Sequence, residues 1–114
     1  MSRKVWQRGD IVVVSFDPTL GQEQQGRRPG MVVTHASLNR LGMIGVCPIT
    51  QGGMGARSAG LSVNLLGTGT QTQGVVLVHQ FRMIDPSQRG LTLIEQAPDD
   101  LVEEVRARVA ALLD

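Results

Sequence analysis

The sequence has few of the residues that define several common classes of small protein. Its only cysteine is Cys47, which excludes an intrachain disulfide and a zinc site built from several thiolates. It has no tyrosine, one tryptophan and two phenylalanines, which disfavours modules that stack nucleic-acid bases on an aromatic sheet. No apolar run approaches the roughly 20 residues that cross a bilayer, and the basic N-terminus lacks the apolar segment of a signal peptide. These absences favour a cytoplasmic protein with no membrane partner.

The residues that are present suit one small folded domain. The chain has 114 residues, of which 41% are hydrophobic, so we expect a single domain over 1–114 rather than disorder. The net charge of +1 hides an uneven distribution. Residues 1–90 carry nine basic and four acidic side chains, whereas residues 91–114 carry two basic and six acidic ones. We call residues 1–90 the basic body. Such a segment is compatible with a polyanionic partner even though the net charge of the whole chain is nearly zero.

Short β-branched segments separated by glycine-rich turns fill most of residues 8–96. They predict strands at 11–16, 31–34, 43–49, 61–65, 74–78 and about 91–94, with one helical turn at 36–40. Residues 17–29 and 51–60 are predicted to be loops because they are rich in proline, glycine and polar side chains. Many short strands favour a small barrel or sandwich over a parallel α/β fold.

The C-terminal segment has the period of a helix. A proline and two acidic residues at 98–100 suit a helix start, because acidic groups interact favourably with the positive end of the helix dipole. Leu101, Val105, Val109 and Leu112 then form an apolar stripe. We expect a helix over about 98–113 that packs on its own domain or on a second subunit. Its acidic polar face argues against a membrane-surface helix.

Three polar segments can carry chemistry. They are 8–10 (Arg-Gly-Asp), 17–29, and 48–53 (Pro-Ile-Thr-Gln-Gly-Gly). An arginine and a threonine beside glycines that expose the backbone form a plausible phosphate site, because the guanidinium, the hydroxyl and backbone N–H groups all donate hydrogen bonds.

In their order along the chain these segments resemble the MazF/PemK family of toxins, and most of all its PemK and ChpB branch. The matching patterns are Arg-Gly-Asp-Ile-Val at 8–12, Asp-Pro-Thr-x-Gly-x-Glu-Gln-Gln-Gly-x-Arg-Pro at 17–29, Pro-Ile-Thr-x-Gly-Gly at 48–53, Ala-Arg-Ser-Ala-Gly at 56–60 and Gly-Val-Val at 74–76. The resemblance implies a mainly β, SH3-like barrel over about 8–96 with a C-terminal helix, assembled as a homodimer.

The same resemblance implies a function. Such toxins of type II toxin–antitoxin systems cleave single-stranded RNA, including mRNA, at short sequences and so arrest growth. The 2′-hydroxyl of the RNA attacks the adjacent phosphorus, which leaves a 2′,3′-cyclic phosphate and a 5′-hydroxyl, without a metal or another cofactor. A cognate antitoxin with an acidic C-terminal segment is implied as the partner that covers the RNA site.

Four residues are candidates for catalysis. Arg28 matches the family's catalytic arginine, and we assign it charge stabilisation because a guanidinium does not act as a base. Thr50 matches the family threonine and is expected to hydrogen-bond the phosphate. Glu23 matches an acid that takes the 2′-proton or orients Arg28, with a loop salt bridge as the alternative.

His79 is the fourth candidate, and it arises where the sequence departs from the PemK pattern. Gln22 stands in place of a histidine, and Leu77 and His79 stand in place of an arginine and an aspartate. An acid–base pair of the PemK type therefore cannot be transferred to this chain. His79 can act as general acid or base near neutral pH, and the alternative is a histidine held by hydrogen bonds at a strand end.

RNA contacts are expected at six further positions. An arginine there would contact phosphate whatever the sequence, and amide side chains can read the edges of splayed bases. The candidates are Gln22, Gln51, Arg57, Ser58, Ala59 and Gln80.

Two other functions are alternatives, and the sequence argues against the first of them. A gyrase-binding toxin of the CcdB type has the same fold but depends on a terminal Trp-Gly-Ile, whereas residues 111–114 read Ala-Leu-Leu-Asp. A catalytically inactive RNA-binding barrel is suggested by the departures at Gln22, Leu77 and His79. Both the RNA-cleaving toxin and the inactive barrel would bind RNA. In both we expect the acidic helix to face away from the RNA, because the basic body attracts the phosphate backbone.

Overall fold

One antiparallel sheet and a C-terminal helix account for most of the computed structural model, which describes residues 5–16, 26–51 and 60–114. The predicted site residues Gln22, Glu23, Arg57, Ser58 and Ala59 lie outside these described residues. The elements are β1 (Asp10–Ser15), β2 (Arg27–Val32), α1 (Ala36–Asn39), β3 (Ile44–Thr50), β4 (Ser62–Asn64), β5 (Val75–Leu77), β6 (Arg82–Ile84), β7 (Thr92–Gln96) and α2 (Asp99–Ala111).

The seven strands form one bent sheet in the order β4-β5-β3-β2-β1-β7, with β6 paired to β3. Short 3-10 turns follow β5 at Val78–Gln80 and follow β6 at Pro86–Gln88. The predicted mainly β fold with a C-terminal helix is therefore confirmed.

Apolar side chains pack on both faces of the sheet, because alternate residues of a strand point to opposite sides. On one face Met31, Cys47 and Ile49 share a cluster with Leu101 and Val105 of α2. We call this the helix-covered face. The opposite face carries a second cluster made of Trp6, Val12, Val14, Phe16, Val32, Ile44, Val46 and Ile84.

Cys47 is completely buried on the helix-covered face. Burial raises the pKa of its thiol to about 12, because the thiolate is costly to desolvate. The thiol is protonated at neutral pH and packs as a small apolar side chain rather than acting as a nucleophile.

Strand β2 begins earlier than the sequence suggests. Residues 27–29, predicted as the end of a long loop, pair in register with β1, as Ser15↔Arg27, Val14↔Arg28 and Val13↔Pro29. The loop prediction was wrong here because Pro-Gly at 29–30 is typical of a turn, whereas the ladder of β1 runs past both residues. Arg28 is consequently held on a strand.

Strand β3 contains Pro48 two residues before its end. On one side β3 pairs with β2 through Val46, Cys47 and Pro48. It also pairs with β6 through Ile44–Val46 and with β5 through Ile49 and Thr50. Pro48 lies between the residues of β3 that pair with β6 and those that pair with β5. Proline has no N–H to donate, and neither β5 nor β6 is paired with β3 at this position.

Helix α2 begins after Pro98 and has Asp99 and Asp100 in its first turn, as predicted. Its acidic face is partly neutralised by its own arginines. Nη2 of Arg106 lies 2.7 Å from Oε1 of Glu103, and Nη2 of Arg108 lies 3.2 Å from Oε2 of Glu104. Among the described residues, no helix has both the length and the apolar character needed to cross a membrane.

Candidate nucleic-acid interface

Arg28 and Thr50 lie side by side at the ends of β2 and β3. Gly30 and Pro48 form the last pair of the antiparallel β2–β3 ladder. Two residues beyond this pair, the same register places Arg28 opposite Thr50. The Nη1 of Arg28 donates a hydrogen bond to Oγ1 of Thr50 over 3.4 Å. Thr50 is buried, with 8% of its surface exposed, whereas Arg28 is half-buried. The two residues that the resemblance assigns to the phosphate are therefore brought together by strand register.

The backbone of Thr50 is held closely by the strand on its other side. Thr50 is the register partner of Val75, and Gly74 immediately before it has φ +124°. A Cβ on Gly74 would lie 2.7 Å from the carbonyl oxygen of Thr50. Both the backbone angle and this close approach require glycine. The Oγ1 of Thr50 also donates to the carbonyl oxygen of Gln51 over 3.3 Å.

The Arg28–Thr50 pair and helix α2 lie on opposite faces of the sheet. Ile49 belongs to the helix-covered face, so its neighbour Thr50 points to the other side, and Arg28 opposite Thr50 does the same. The acidic polar face of α2 is therefore not on the face that carries this pair.

His79 and Gln80 lie in the 3-10 turn that follows β5, four and five residues beyond Val75. His79 is exposed, and within the described residues its ring has no hydrogen-bond partner. The alternative in which hydrogen bonds hold this histidine at a strand end stays open. Its assignment as an acid or base stays a prediction.

The Arg-Gly-Asp segment at 8–10, one of the three polar segments, has a structural role. Nε of Arg8 donates to the carbonyl oxygen of Val33 over 2.6 Å. The fully buried carboxylate of Asp10 accepts hydrogen bonds from the backbone N–H of Gln7 at 2.9 Å and from Nε2 of Gln96 at 2.7 Å. These bonds fasten the first strand to β7 and to the segment after β2.

A polar pocket near the site was not recognised from the sequence. It has a volume of about 420 Å³ and is open to solvent. The signal was available in residues 67–74, which read Gly-Thr-Gly-Thr-Gln-Thr-Gln-Gly and form a polar segment between β4 and β5. The lining residues are Pro29, Gln51, Gln71, Thr72, Gln73 and Ile94.

Metal-ligating side chains are dispersed over the described parts of the chain. Within residues 5–16, 26–51 and 60–114, no three His, Cys, Asp or Glu side chains form a group that could hold a metal ion. The polar groups that the structure does bring together are the guanidinium and hydroxyl of the Arg28–Thr50 pair.

The fold and the Arg28–Thr50 pair define a small, mainly β protein in which a guanidinium and a hydroxyl are in contact at the end of the sheet. A family model described as "PemK-like, MazF-like toxin of type II toxin-antitoxin system" matches residues 7–113. The chain belongs to this family of toxins, as the order of its motifs predicted.

Two curated relatives are similar along most of the chain. Endoribonuclease toxin ChpB of Escherichia coli (strain K12) is 46% identical over 115 residues, which cover 100% of this chain and 99% of the relative. Endoribonuclease PemK of Escherichia coli is 45% identical over 108 residues, which cover 94% of this chain and 81% of the relative. The similarity to the PemK and ChpB branch is thereby confirmed.

Solved structures of MazF proteins share the fold. A crystal structure of MazF from Deinococcus radiodurans has a TM-score of 0.84 and 33% identity, and the match covers 97% of this chain and 98% of that one. A MazE–MazF crystal structure from the same organism has a TM-score of 0.76 and 34% identity, with 97% of each chain covered.

Proposed function

We propose that this toxin is a sequence-specific endoribonuclease that cleaves single-stranded RNA and thereby inhibits translation and growth. The observation that carries the proposal is the Arg28–Thr50 pair, a cationic fork and a hydroxyl 3.4 Å apart on one face of the sheet. The relatives ChpB and PemK are both named endoribonucleases, which supports the same activity here.

The reaction that suits this pair is attack by the RNA on its own backbone. A bond forms between the 2′-oxygen and phosphorus while the bond from phosphorus to the 5′-oxygen breaks. The 2′-hydroxyl loses its proton to a base, and the departing 5′-oxygen takes up a proton. Arg28 stabilises the negative charge that develops on the phosphorane oxygens, and Thr50 donates to one of them. We propose Glu23 and His79 for the two proton transfers.

The remaining predicted RNA contacts divide by chemistry. An arginine at position 57, flanked by Ser58 and Ala59, supplies a phosphate contact that is independent of base sequence. Gln22, Gln51 and Gln80 supply amides that can donate to and accept from base edges. The exposure of Gln51 at the end of β3 supports such a role.

The proposed partners are an antitoxin and a second copy of the chain. The MazE–MazF structure among the structural relatives supports a cognate antitoxin, and its acidic C-terminal segment would compete with RNA for the basic body. Exposed Met43 and Met83 lie near the β3–β6 pairing and support a homodimer that frames a longer groove than one subunit offers. The cytoplasm is the proposed location.

The test is cleavage of a defined panel of RNAs in EDTA by the wild type, Arg28→Ala, Thr50→Ala and His79→Ala. Arg28→Ala should lower the cleavage rate by roughly 10²–10³-fold, since an electrostatic donor to the transition state is lost. Arg40→Ala is the matched control, because Arg40 is exposed at the end of α1 and outside the proposed site. Mass spectrometry of the products should show cyclic phosphate and 5′-hydroxyl ends.

Different outcomes would exclude different parts of the proposal. No cleavage of any RNA by the wild type, together with binding of a non-cleavable 2′-deoxy analogue, would establish the inactive RNA-binding alternative. Full activity of Arg28→Ala would remove the central catalytic assignment. An unchanged rate and pH profile in His79→Ala would show that this histidine transfers no proton.

A further inference from the structure

The turn before β5 is held by one carboxylate from the other end of the sheet. Oε1 of Glu95 accepts a hydrogen bond from the backbone N–H of Gln71 at 3.0 Å. Oε2 accepts from the backbone N–H of Thr72 at 2.8 Å and from its Oγ1 at 2.7 Å. Glu95 lies on β7, more than twenty residues away in sequence, so this contact sets the position of the turn relative to the sheet.

Ionisation of Glu95 is favoured by these bonds. Partial desolvation raises the pKa of its carboxyl, but the hydrogen bonds from Thr72 and Gln71 outweigh that effect, and the net pKa lies below its ordinary value. The carboxylate is therefore charged at neutral pH and can accept all three hydrogen bonds. Both of its oxygens are engaged by the turn rather than presented to a ligand.

The turn that Glu95 holds forms one wall of the polar pocket. Gln71, Thr72 and Gln73 line it on that side, with Pro29 and Ile94 as apolar surfaces. Because Gln71 and Thr72 contact Glu95 through their backbone and the Thr72 hydroxyl, the amide groups of Gln71 and Gln73 are not used by that contact. Amides that donate and accept suit the edge of a nucleobase, and the apolar side chains beside them can contact its face.

The pocket adjoins the proposed cleavage site through the chain itself. Pro29 follows Arg28, and Gln51 follows Thr50, so two lining residues are the immediate neighbours of the pair. Alternation along β2 directs Arg28 to one face of the sheet and Pro29 to the other, and Gln51 follows the last residue of β3. A nucleotide strand that crosses the ends of these strands can place a phosphate at the pair and an adjacent base in the pocket.

We propose that Glu95 is a positioning residue for RNA specificity, which fixes the Gln71–Gln73 turn as the wall of a nucleobase subsite beside the scissile phosphate. This inference rests on the proposed ribonuclease function and extends it to a residue outside the motifs. Glu95 does not contact RNA in this arrangement and acts through the turn.

Four variants test the proposal. Glu95→Gln keeps the size of the side chain but replaces one accepting oxygen with a donor. Gln71→Ala and Gln73→Ala remove pocket amides from exposed positions and leave the hydrogen bonds to Glu95 intact. Glu103→Gln is the control, because it removes an equal charge from an exposed position on α2. Unfolding temperatures of all four identify any variant whose fold is lost.

Cleavage is measured as kcat and KM on RNAs that differ only at the nucleotides flanking the cleaved bond. Gln71→Ala or Gln73→Ala should change the preference between flanking bases by about tenfold, the size of one lost base contact. Glu95→Gln should weaken the same preference several-fold, mainly through KM, whereas Glu103→Gln should match the wild type. The proposal would be overturned if Glu95→Gln and the two glutamine variants all kept the wild-type preference between flanking bases. That outcome includes both unchanged cleavage and an equal loss of cleavage on every RNA.

Binding of 2′-deoxy analogues of the same sequences separates this inference from the function on which it rests. If the wild type binds these analogues with a base preference that depends on Glu95 but cleaves no RNA, the subsite stands and the ribonuclease proposal fails. If the wild type cleaves RNA and the preference is independent of Glu95, Gln71 and Gln73, the ribonuclease stands and the subsite fails. If the wild type neither cleaves nor binds, both fail.

Discussion

Two short segments of this protein contain an arginine close to a glycine of positive φ, yet the structure uses them differently. In the first, Gly9 has φ +94°, Arg8 donates to a backbone carbonyl, and Asp10 is fully buried. In the second, Gly26 has φ +80°, and Arg28 donates to the Thr50 hydroxyl at the end of the sheet. The first segment fastens the fold, and the second supplies the proposed phosphate site.

The difference comes from the partners that each arginine meets. Arg8 precedes a strand whose neighbours are β2 and β7, so its surroundings are backbone and core. Arg28 lies two residues beyond the last pair of the β2–β3 ladder, and its guanidinium contacts the hydroxyl of Thr50 across the strands. Residue type alone does not distinguish an arginine that stabilises the fold from one that binds a ligand.

The largest expected effect separates the two arginines by activity. Arg28→Lys keeps the charge but loses the planar fork of donors, so kcat/KM for RNA cleavage should fall roughly 10²-fold. Arg8→Lys should leave cleavage per folded molecule unchanged and should instead lower the unfolding temperature. Comparable loss of activity in both variants, with both folded, would contradict the division between the two segments.

A smaller effect is expected from glycine substitutions beside Thr50 and in the 8–10 segment, measured as unfolding free energy and kcat. Gly74→Ala introduces strain at φ +124° and a contact with the Thr50 carbonyl, so it should cost about 1–3 kcal/mol of unfolding free energy and also lower kcat. Gly9→Ala, where a Cβ would meet the side chains of Gln96 and Val102, should cost a similar amount without lowering kcat.

Gly42→Ala is the control for the glycine variants, because Gly42 has φ +106° but open space around a new Cβ. Denaturant titration and single-turnover cleavage measure the two quantities separately. An equal fall in kcat for Gly9→Ala and Gly74→Ala would show that the close approach to Thr50 has no catalytic consequence.

The smallest effect concerns acid and the Glu95 contact. Because the folded-state pKa of Glu95 is lowered, its contribution to stability is complete above the ordinary carboxyl range and is lost as the pH falls through the lowered value. The difference in unfolding free energy between wild type and Glu95→Gln should therefore be larger at neutral pH than in acid. Urea titrations at both pH values measure it, and a constant difference would argue against an ionised acceptor.

Much of the fold followed from local patterns in the sequence. β-Branched runs predicted the strand regions, and the apolar period from Leu101 to Val105 and onward predicted α2. The start of β2 was misplaced because Pro29 is paired inside a ladder, and Pro48 is likewise paired inside β3, whose boundaries were predicted to within one residue. Their tolerance depends on which neighbouring strand is present at that residue, and this is a property of the whole sheet.

The candidate site divides in the same way. Arg28 and Thr50 were identified from their motifs, and strand register supplied the contact between them. Glu95 could not be identified, because a single glutamate in an alternating strand is usually a solvated side chain. Its role depends on a turn more than twenty residues away in sequence, and only the folded sheet brings the two together.

The buried thiol of Cys47 can report whether the core of this protein is folded. A thiol with a pKa of about 12 and no exposed surface reacts with an alkylating reagent only when the strand around it opens. Since the chain has one cysteine, the labelling rate reports a single opening event. A variant that has lost cleavage but labels as slowly as the wild type has lost chemistry, and one that labels quickly has lost its core.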